Sequence, residues 1–138
     1  MLYMLDTDIA SYIIKGQYSQ LQAKLELVLP SQICISAMTK AELFYGLKKL
    51  PKNHRLHISA KKFLEIVQTL DWNSEAAVWY ADIRYQLISS GQPIGEMDMM
   101  IAAHALSVSA VLVSNNQKHH SRIDAPLMLE NWIDNDKN

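Results

Sequence analysis

Three short, wholly apolar runs constrain this chain most: Leu2-Tyr3-Met4-Leu5, Ile33-Cys34-Ile35 and Ala110-Val111-Leu112-Val113. Runs this short, with no polar residue at alternate positions, read as strands buried on both faces, as in a parallel sheet. Helical spacing fills the stretches between them. Ile9 to Ile14 is a first helix, ended by Gly16, and Ser19 to Leu29 a second, stopped by Pro30. Ser36 is placed to cap a long helix from Ala37 to Leu50. Beyond Pro51 the pattern predicts a helix from His54 to Thr69, a strand Leu70-Asp71-Trp72 and a helix from Glu75 to Ser90. Gly91-Gln92-Pro93 is a turn into a buried helix that carries Asp98 in its first turn. Gln117 to Ala125 reads as a loop or short turn, and Leu127-Met128-Leu129 as an edge strand before a polar tail. Strands alternating with helices predict an α/β fold, its parallel sheet covered on both faces. With 138 residues, 49% hydrophobic and no linker or repeat, the expectation is one domain spanning 1–138.

Charge narrows the function classes. Thirteen basic residues against 14 acidic ones argue against nucleic-acid binding by bulk electrostatics, though not against a local basic face. One such bias exists: Lys48, Lys49, Lys52, Arg55, Lys61 and Lys62 fall between Leu43 and Leu64 with no acid among them. They form either a solvated helix face or a phosphate-contacting patch. The single cysteine, Cys34, reads as a small buried hydrophobe, which excludes an intramolecular disulfide and a cysteine zinc cluster. The longest apolar run, Met99 to Val113, is interrupted by His104, Ser107 and Ser109 and is too short to span a membrane. With no signal-peptide pattern at the start, a cytoplasmic protein is expected.

Ligands of parallel α/β sheets bind outside the carboxyl ends of the strands. Asp6 stands at the end of the first strand, with Thr7 or Asp8 placed to cap the next helix, and Ser114-Asn115-Asn116 ends the fourth. Two helix-borne acids can lean over the same edge. Asp98 either serves only its helix start or joins a site; Glu42, between Met38 and Tyr45 at helical spacing, is either exposed or purposeful. Gly46, one turn beyond Glu42, marks either a close approach or simple tolerance. Three acids from three segments suggest a hard-cation site for Mg²⁺ or Mn²⁺, which prefer oxygen ligands and keep several waters. Such an ion stabilises phosphate charge and activates water, and without one the carboxylates repel. Asp6-Thr7-Asp8 also looks like the nucleophile motif of haloacid-dehalogenase-type phosphatases, but Ala10 departs from that motif and the chain is short for that fold. His119-His120 could be ligands or a base; without a Cys or His-Glu-x-x-His context the pair reads rather as surface loop. There is no Gly-rich phosphate loop and no Gly-x-Ser-x-Gly turn.

The order and spacing of a set of short motifs add a resemblance. Met4-Leu5-Asp6-Thr7, Ile35-Ser36 with Ala41-Glu42-Leu43 and Tyr45-Gly46, Ile83-Arg84, Gly91 to Gly95 with Asp98, Ile101 to Ala105, Leu112 to Asn116 and Leu129 to Trp132 together resemble PIN-domain ribonucleases of the VapC toxin type. The resemblance implies a three-layer α/β/α fold with a short central parallel sheet, and Mg²⁺- or Mn²⁺-dependent RNA cleavage. It also implies a homodimer, a cognate antitoxin partner, and transfer RNA as a reasonable target. Carried over by position, Asp6, Glu42 and Asp98 would be the acidic site, and Thr7, Ser114 and Asn116 its polar support. Two departures stand out. Asp8 occupies a place where many relatives have Asn, and the fourth acid many carry is absent, Asn116 and His119 standing there instead. A second metal site is therefore expected to be weak. A non-catalytic binding module with the same fold is the competing reading from another class.

Overall fold

The computed structural model describes residues 1–133, so the polar tail lies outside the described residues. Five parallel strands form one sheet: β1 (Tyr3–Leu5), β2 (Ile33–Ser36), β3 (Gln68–Leu70), β4 (Val111–Val113) and β5 (Met128–Glu130). Their spatial order is β3-β2-β1-β4-β5. The chain winds outward from β1 to β3, then returns to β1's other side to lay down β4 and β5. The strand order thus reverses between β1 and β4, where the connections diverge and leave a crevice.

Alternation along the strands divides the core between the two faces. Met4 pairs in register with Cys34 and Leu112, and these three belong to one apolar cluster with Ile83, Leu87, Met99 and Ala102. Leu5 pairs with Ile35 and Val113, which join Ile9, Leu21, Leu43 and Phe63 in the other. The first cluster is covered by α5 (Ser74–Ser89) and α6 (Glu96–Ser107); the second by α1 (Thr7–Lys15), α2 (Ser19–Leu25), α3 (Ala37–Lys48) and α4 (Leu56–Ile66). This is the expected three-layer α/β/α arrangement. Cys34 is fully buried, and burial pushes its thiol up to about 12, in line with an inert packing role.

Several boundaries differ from the sequence reading. The second helix stops at Leu25 rather than Leu29, because Pro30 opens a 3₁₀ turn over Pro30–Gln32 and the Gln32 side chain accepts the Leu29 N–H. The fourth begins at Leu56 rather than His54, whose ring Nδ1 accepts the Leu56 N–H just ahead of the helix. It ends at Ile66 rather than Thr69, and β3 lies two residues earlier than expected: Thr69 pairs with Ile35 and Leu70 with Ser36. At a sheet edge, with Gln68 exposed, this strand has no apolar run to announce it. The stretch after Asn116 opens with a four-residue helix, α7 (Gln117–His120).

Candidate active site

The crevice beside β1 is lined with acid. Asp6 occupies the residue just past β1 and is 5% exposed. Its N–H donates to the Val113 carbonyl (3.0 Å), fastening the end of β1 to the end of β4. Asp6, not Thr7 or Asp8, is the N-cap of α1: its Oδ1 accepts the Ile9 N–H at 2.9 Å. The helix therefore starts at Thr7, two residues earlier than its apolar periodicity indicates. The buried Ser114 hydroxyl also bonds the Asp6 carboxylate and accepts the Asn116 N–H at 2.9 Å. Burial pushes the Asp6 carboxyl up to about 6; the Ser114 and Ile9 hydrogen bonds oppose this, and the charges of Asp8 and Asp98 add to it.

The other two acids come from α3 and α6. The Thr7 hydroxyl donates to Glu42 Oε1 and lies 3.2 Å from the hydroxyl of the fully buried Thr39. Asp98 sits in the first turn of α6, whose N-cap is Gly95. A Cβ at Gly95 would stand 3.4 Å from Asp98 Oδ2, at ordinary contact distance. α3 and α6 are tied together below the site: Ser36 Oγ caps α3 by accepting the Met38 N–H at 3.1 Å and pairs with Nδ1 of the buried His104 at 2.8 Å. Burial holds His104 below the ordinary histidine range and therefore neutral.

Asp6, Asp8, Glu42, Glu96 and Asp98 thus line one cavity of about 290 Å³ together with Thr7, Gly95 and Met97. No basic side chain lines it among the described residues. An adjoining, mostly apolar cavity of about 270 Å³ shares Thr7, Asp8 and Glu42 and is walled by residues such as Ile14, Leu47, Leu50 and Leu56, with Lys15 as its one basic group among the described residues. Gly46 lines this second cavity, and a Cβ there would meet nothing within 4 Å. Tolerance, rather than a close approach, explains that glycine.

Of the expected site residues, Asp6, Thr7, Glu42 and Asp98 meet in one cavity and Ser114 braces Asp6. Asn116 acts at one remove: its backbone N–H bonds Ser114, and its side-chain Nδ2 lies 2.8 Å from His119 Nδ1. The basic residues do not line the acidic cavity. Lys49 Nζ sits 4.6 Å above the Tyr45 ring, and Lys61 and Lys62 line two other grooves. Two features of the site carry no clear signal in the sequence. Glu96 is one, because an acid in a first helical turn reads as dipole compensation. His120 is the other: it is 1% exposed, not part of a surface loop, and its Nδ1 lies 3.0 Å from the Asn116 carbonyl. Burial lowers His120's proton affinity, while the Asp98 charge works against that.

The donors fit a hard cation: carboxylates and hydroxyls without thiol, a buried Asp6 whose charge lacks a counter-charge, and neighbours that repel it. As the side chains stand, no three His, Cys, Asp or Glu groups among the described residues close on one coordination point.

A PIN domain family profile matches residues 3–126. The chain belongs to the PIN-domain VapC ribonuclease family. It is 37% identical over 133 residues to Ribonuclease VapC2 of Rickettsia felis, covering 96% of this chain and 98% of that one. It is 34% identical over 130 residues to the tRNA(fMet)-specific endonuclease VapC of Salmonella typhimurium, covering 94% and 97%. Among solved structures, VapBC2 from Rickettsia felis bound to a promoter DNA fragment superposes with a TM-score of 0.87 at 36% identity, over 96% of this chain and 99% of that chain. This membership sets aside the dehalogenase-type phosphatase. Its nucleophile would have been Asp6, whose Oδ1 is already engaged as a helix cap.

Proposed function

We propose that this PIN domain is the toxin of a toxin–antitoxin pair, an endoribonuclease that hydrolyses RNA phosphodiester bonds using Mg²⁺ or Mn²⁺. The observation that carries the reading is the convergence of Asp6, Glu42 and Asp98 from β1, α3 and α6 on one cavity at the strand-order reversal. Asp6 and Asp98 would hold the ion, with Glu42 bound directly or through water. When bound, the ion supplies charge stabilisation for the phosphate and lowers the pKa of a water.

The chain's own residues do the positioning. The Ile9 N–H and the Ser114 hydroxyl fix the Asp6 carboxylate from two sides and favour its ionised form. Thr7 orients Glu42 from the adjacent backbone position, so one turn of chain sets two acids. Asp98, in the first turn of α6, presents its side chain to the same cavity beside the Gly95 N-cap.

Transfer RNA is the proposed substrate, since the Salmonella relative is a tRNA(fMet)-specific endonuclease. A cognate antitoxin is the proposed partner, since the related solved structures are VapBC complexes. The active form is proposed to be a homodimer in the cytoplasm; no helix among the described residues is long and apolar enough to cross a membrane. The test is cleavage of an initiator transfer RNA transcript by the purified chain. Cleavage should stop on chelation and return with Mn²⁺. Binding without cleavage under every metal condition would favour the non-catalytic module instead.

A further inference from the structure

An RNA-cleaving cavity walled by five acids poses a problem of charge. A cation answers it at the bond being cut, but the phosphates flanking that bond still meet carboxylates. The side chains that answer for them stand on α5. Arg84 Nη1 donates to the Tyr80 hydroxyl at 3.0 Å, and that hydroxyl donates to Glu96 Oε1 at 3.2 Å. The hydroxyl's one proton and one of its lone pairs are thereby both used, which fixes the direction of the chain. Glu96 itself lines the acidic cavity, so this chain links the guanidinium to a residue of that cavity, while Arg84 itself lines a separate groove with Ala81, Tyr85 and Ile88.

Tyr80 is held firmly enough to aim it. Its ring meets Trp72 edge-on, with centroids 6.2 Å apart, and Trp72 Nε1–H donates to the Met100 carbonyl of α6 at 2.9 Å. The tyrosine is thus braced against α6 at both ends. Arg84 is exposed and, among the described residues, has one hydrogen-bond partner. Most of its five N–H donors remain in the planar fork that suits a phosphate. Exposed polar chains of this kind contribute little to stability, so folding alone gives Arg84 little reason to be held.

We infer that Arg84, aimed by Tyr80 and Glu96, contacts an RNA phosphate beside the bond that is cut. The inference rests on the proposed ribonuclease function. Tyr80 is a positioning residue, acting through Arg84.

The test is binding rather than turnover. The full chain carrying Asp98→Asn, in chelator, is titrated against a fluorescein-labelled initiator transfer RNA transcript at several salt concentrations. Arg84→Gln on that background should weaken binding about tenfold, the size of one charge-assisted contact. It should also flatten the slope of log affinity against log salt by about 0.7 to 0.9, one phosphate's share. Arg84→Lys should keep the slope and lose part of the affinity. Tyr80→Phe should keep the slope and weaken binding, and the double variant Tyr80→Phe/Arg84→Gln should be no weaker than Arg84→Gln alone. A merely structural role would not move the salt slope. An unchanged slope in folded Arg84→Gln, additive losses in the double variant, or a change of oligomeric state in place of the slope change would each overturn the inference. If the unsubstituted chain cuts the RNA while Arg84→Gln binds it unchanged, this inference alone falls; if the chain neither binds nor cuts RNA, both fall.

Discussion

The Thr7 hydroxyl donates to the Glu42 carboxylate, joining the first residue of α1 to the middle of α3. Asp6 is the cap immediately before Thr7, so two acids of the cavity are set by two consecutive residues. Removing the hydroxyl frees Glu42 to rotate and leaves Thr39 without its neighbour. Thr7→Val should fold and lose about 10- to 100-fold in cleavage rate or metal affinity, the usual cost of losing a group that orients a ligand. Thr7→Ser should recover most of it. Steady-state cleavage against metal concentration measures both; equal activity in Thr7→Val would remove Thr7 from the site.

Asp6 makes the metal-free protein sensitive to pH in an unusual direction. Its carboxyl is raised from 3.8 to about 6, so the folded state holds this proton more tightly than the unfolded state. Stability from this group is therefore greatest below pH 3.8 and declines as pH rises toward 6, by about 3 kcal/mol at 1.36 kcal/mol per pKa unit. Asp6→Asn keeps a capping side chain and removes the ionisation. In chelator at neutral pH it should melt higher than the wild-type chain, and added Mn²⁺ should stabilise the wild type only. A lower melting temperature for Asp6→Asn in chelator would contradict the cost assigned to burying this charge.

Inhibition by the antitoxin has an obvious electrostatic route. The cavity offers five carboxylates and no counter-charge of its own among the described residues. An antitoxin arginine directed at Asp6, Glu42 and Asp98 would match them as a planar fork. Replacing that arginine by alanine in the partner should relieve inhibition of cleavage while leaving a complex that still forms. A structure of the complex with every antitoxin residue distant from these three acids would refute the blocking route.

How much of the fold and the site is legible in the sequence varies with burial. The runs at β2 and β4 are buried throughout and β1 nearly so, so their composition alone marks them, and the place of Asp6 and Ser114 at strand ends follows from that. β3 and the ends of α2 and α4 are half exposed and decided by side-chain hydrogen bonds such as those of Gln32 and His54, which leave no periodic trace. Three-dimensional neighbours are the hardest to see. Glu96 matters because Tyr80, 16 residues earlier, reaches it, and the burial of His120 depends on how α7 folds back.

The lysines between α3 and α4 are a proposed RNA contact away from the acids. Lys49 rests over Tyr45 instead of lining the acidic cavity, so the contact proposed for it is with RNA beyond the bond that is cut. Changing Lys48, Lys49 and Lys52 together to Ala should weaken RNA binding and lower the salt slope by about 0.7 for each single-strand phosphate no longer neutralised. The weakening should be alike for all sequences, because phosphate contacts carry no base information. Unchanged affinity and slope would make this region a plain solvated surface.

The proposed chemistry stands or falls with Asp98 as part of a metal-holding catalytic site rather than a mere helix start. Asp98→Asn keeps the size and the hydrogen-bonding capacity of the side chain, so the fold should survive. The decisive measurement is cleavage of initiator transfer RNA by this variant and the wild-type chain across a Mn²⁺ titration, with melting curves as the control for folding. The variant should show wild-type stability in chelator, no Mn²⁺-dependent stabilisation, and cleavage reduced by at least about a hundredfold. A folded Asp98→Asn protein that cuts the RNA at the wild-type rate would contradict the assignment.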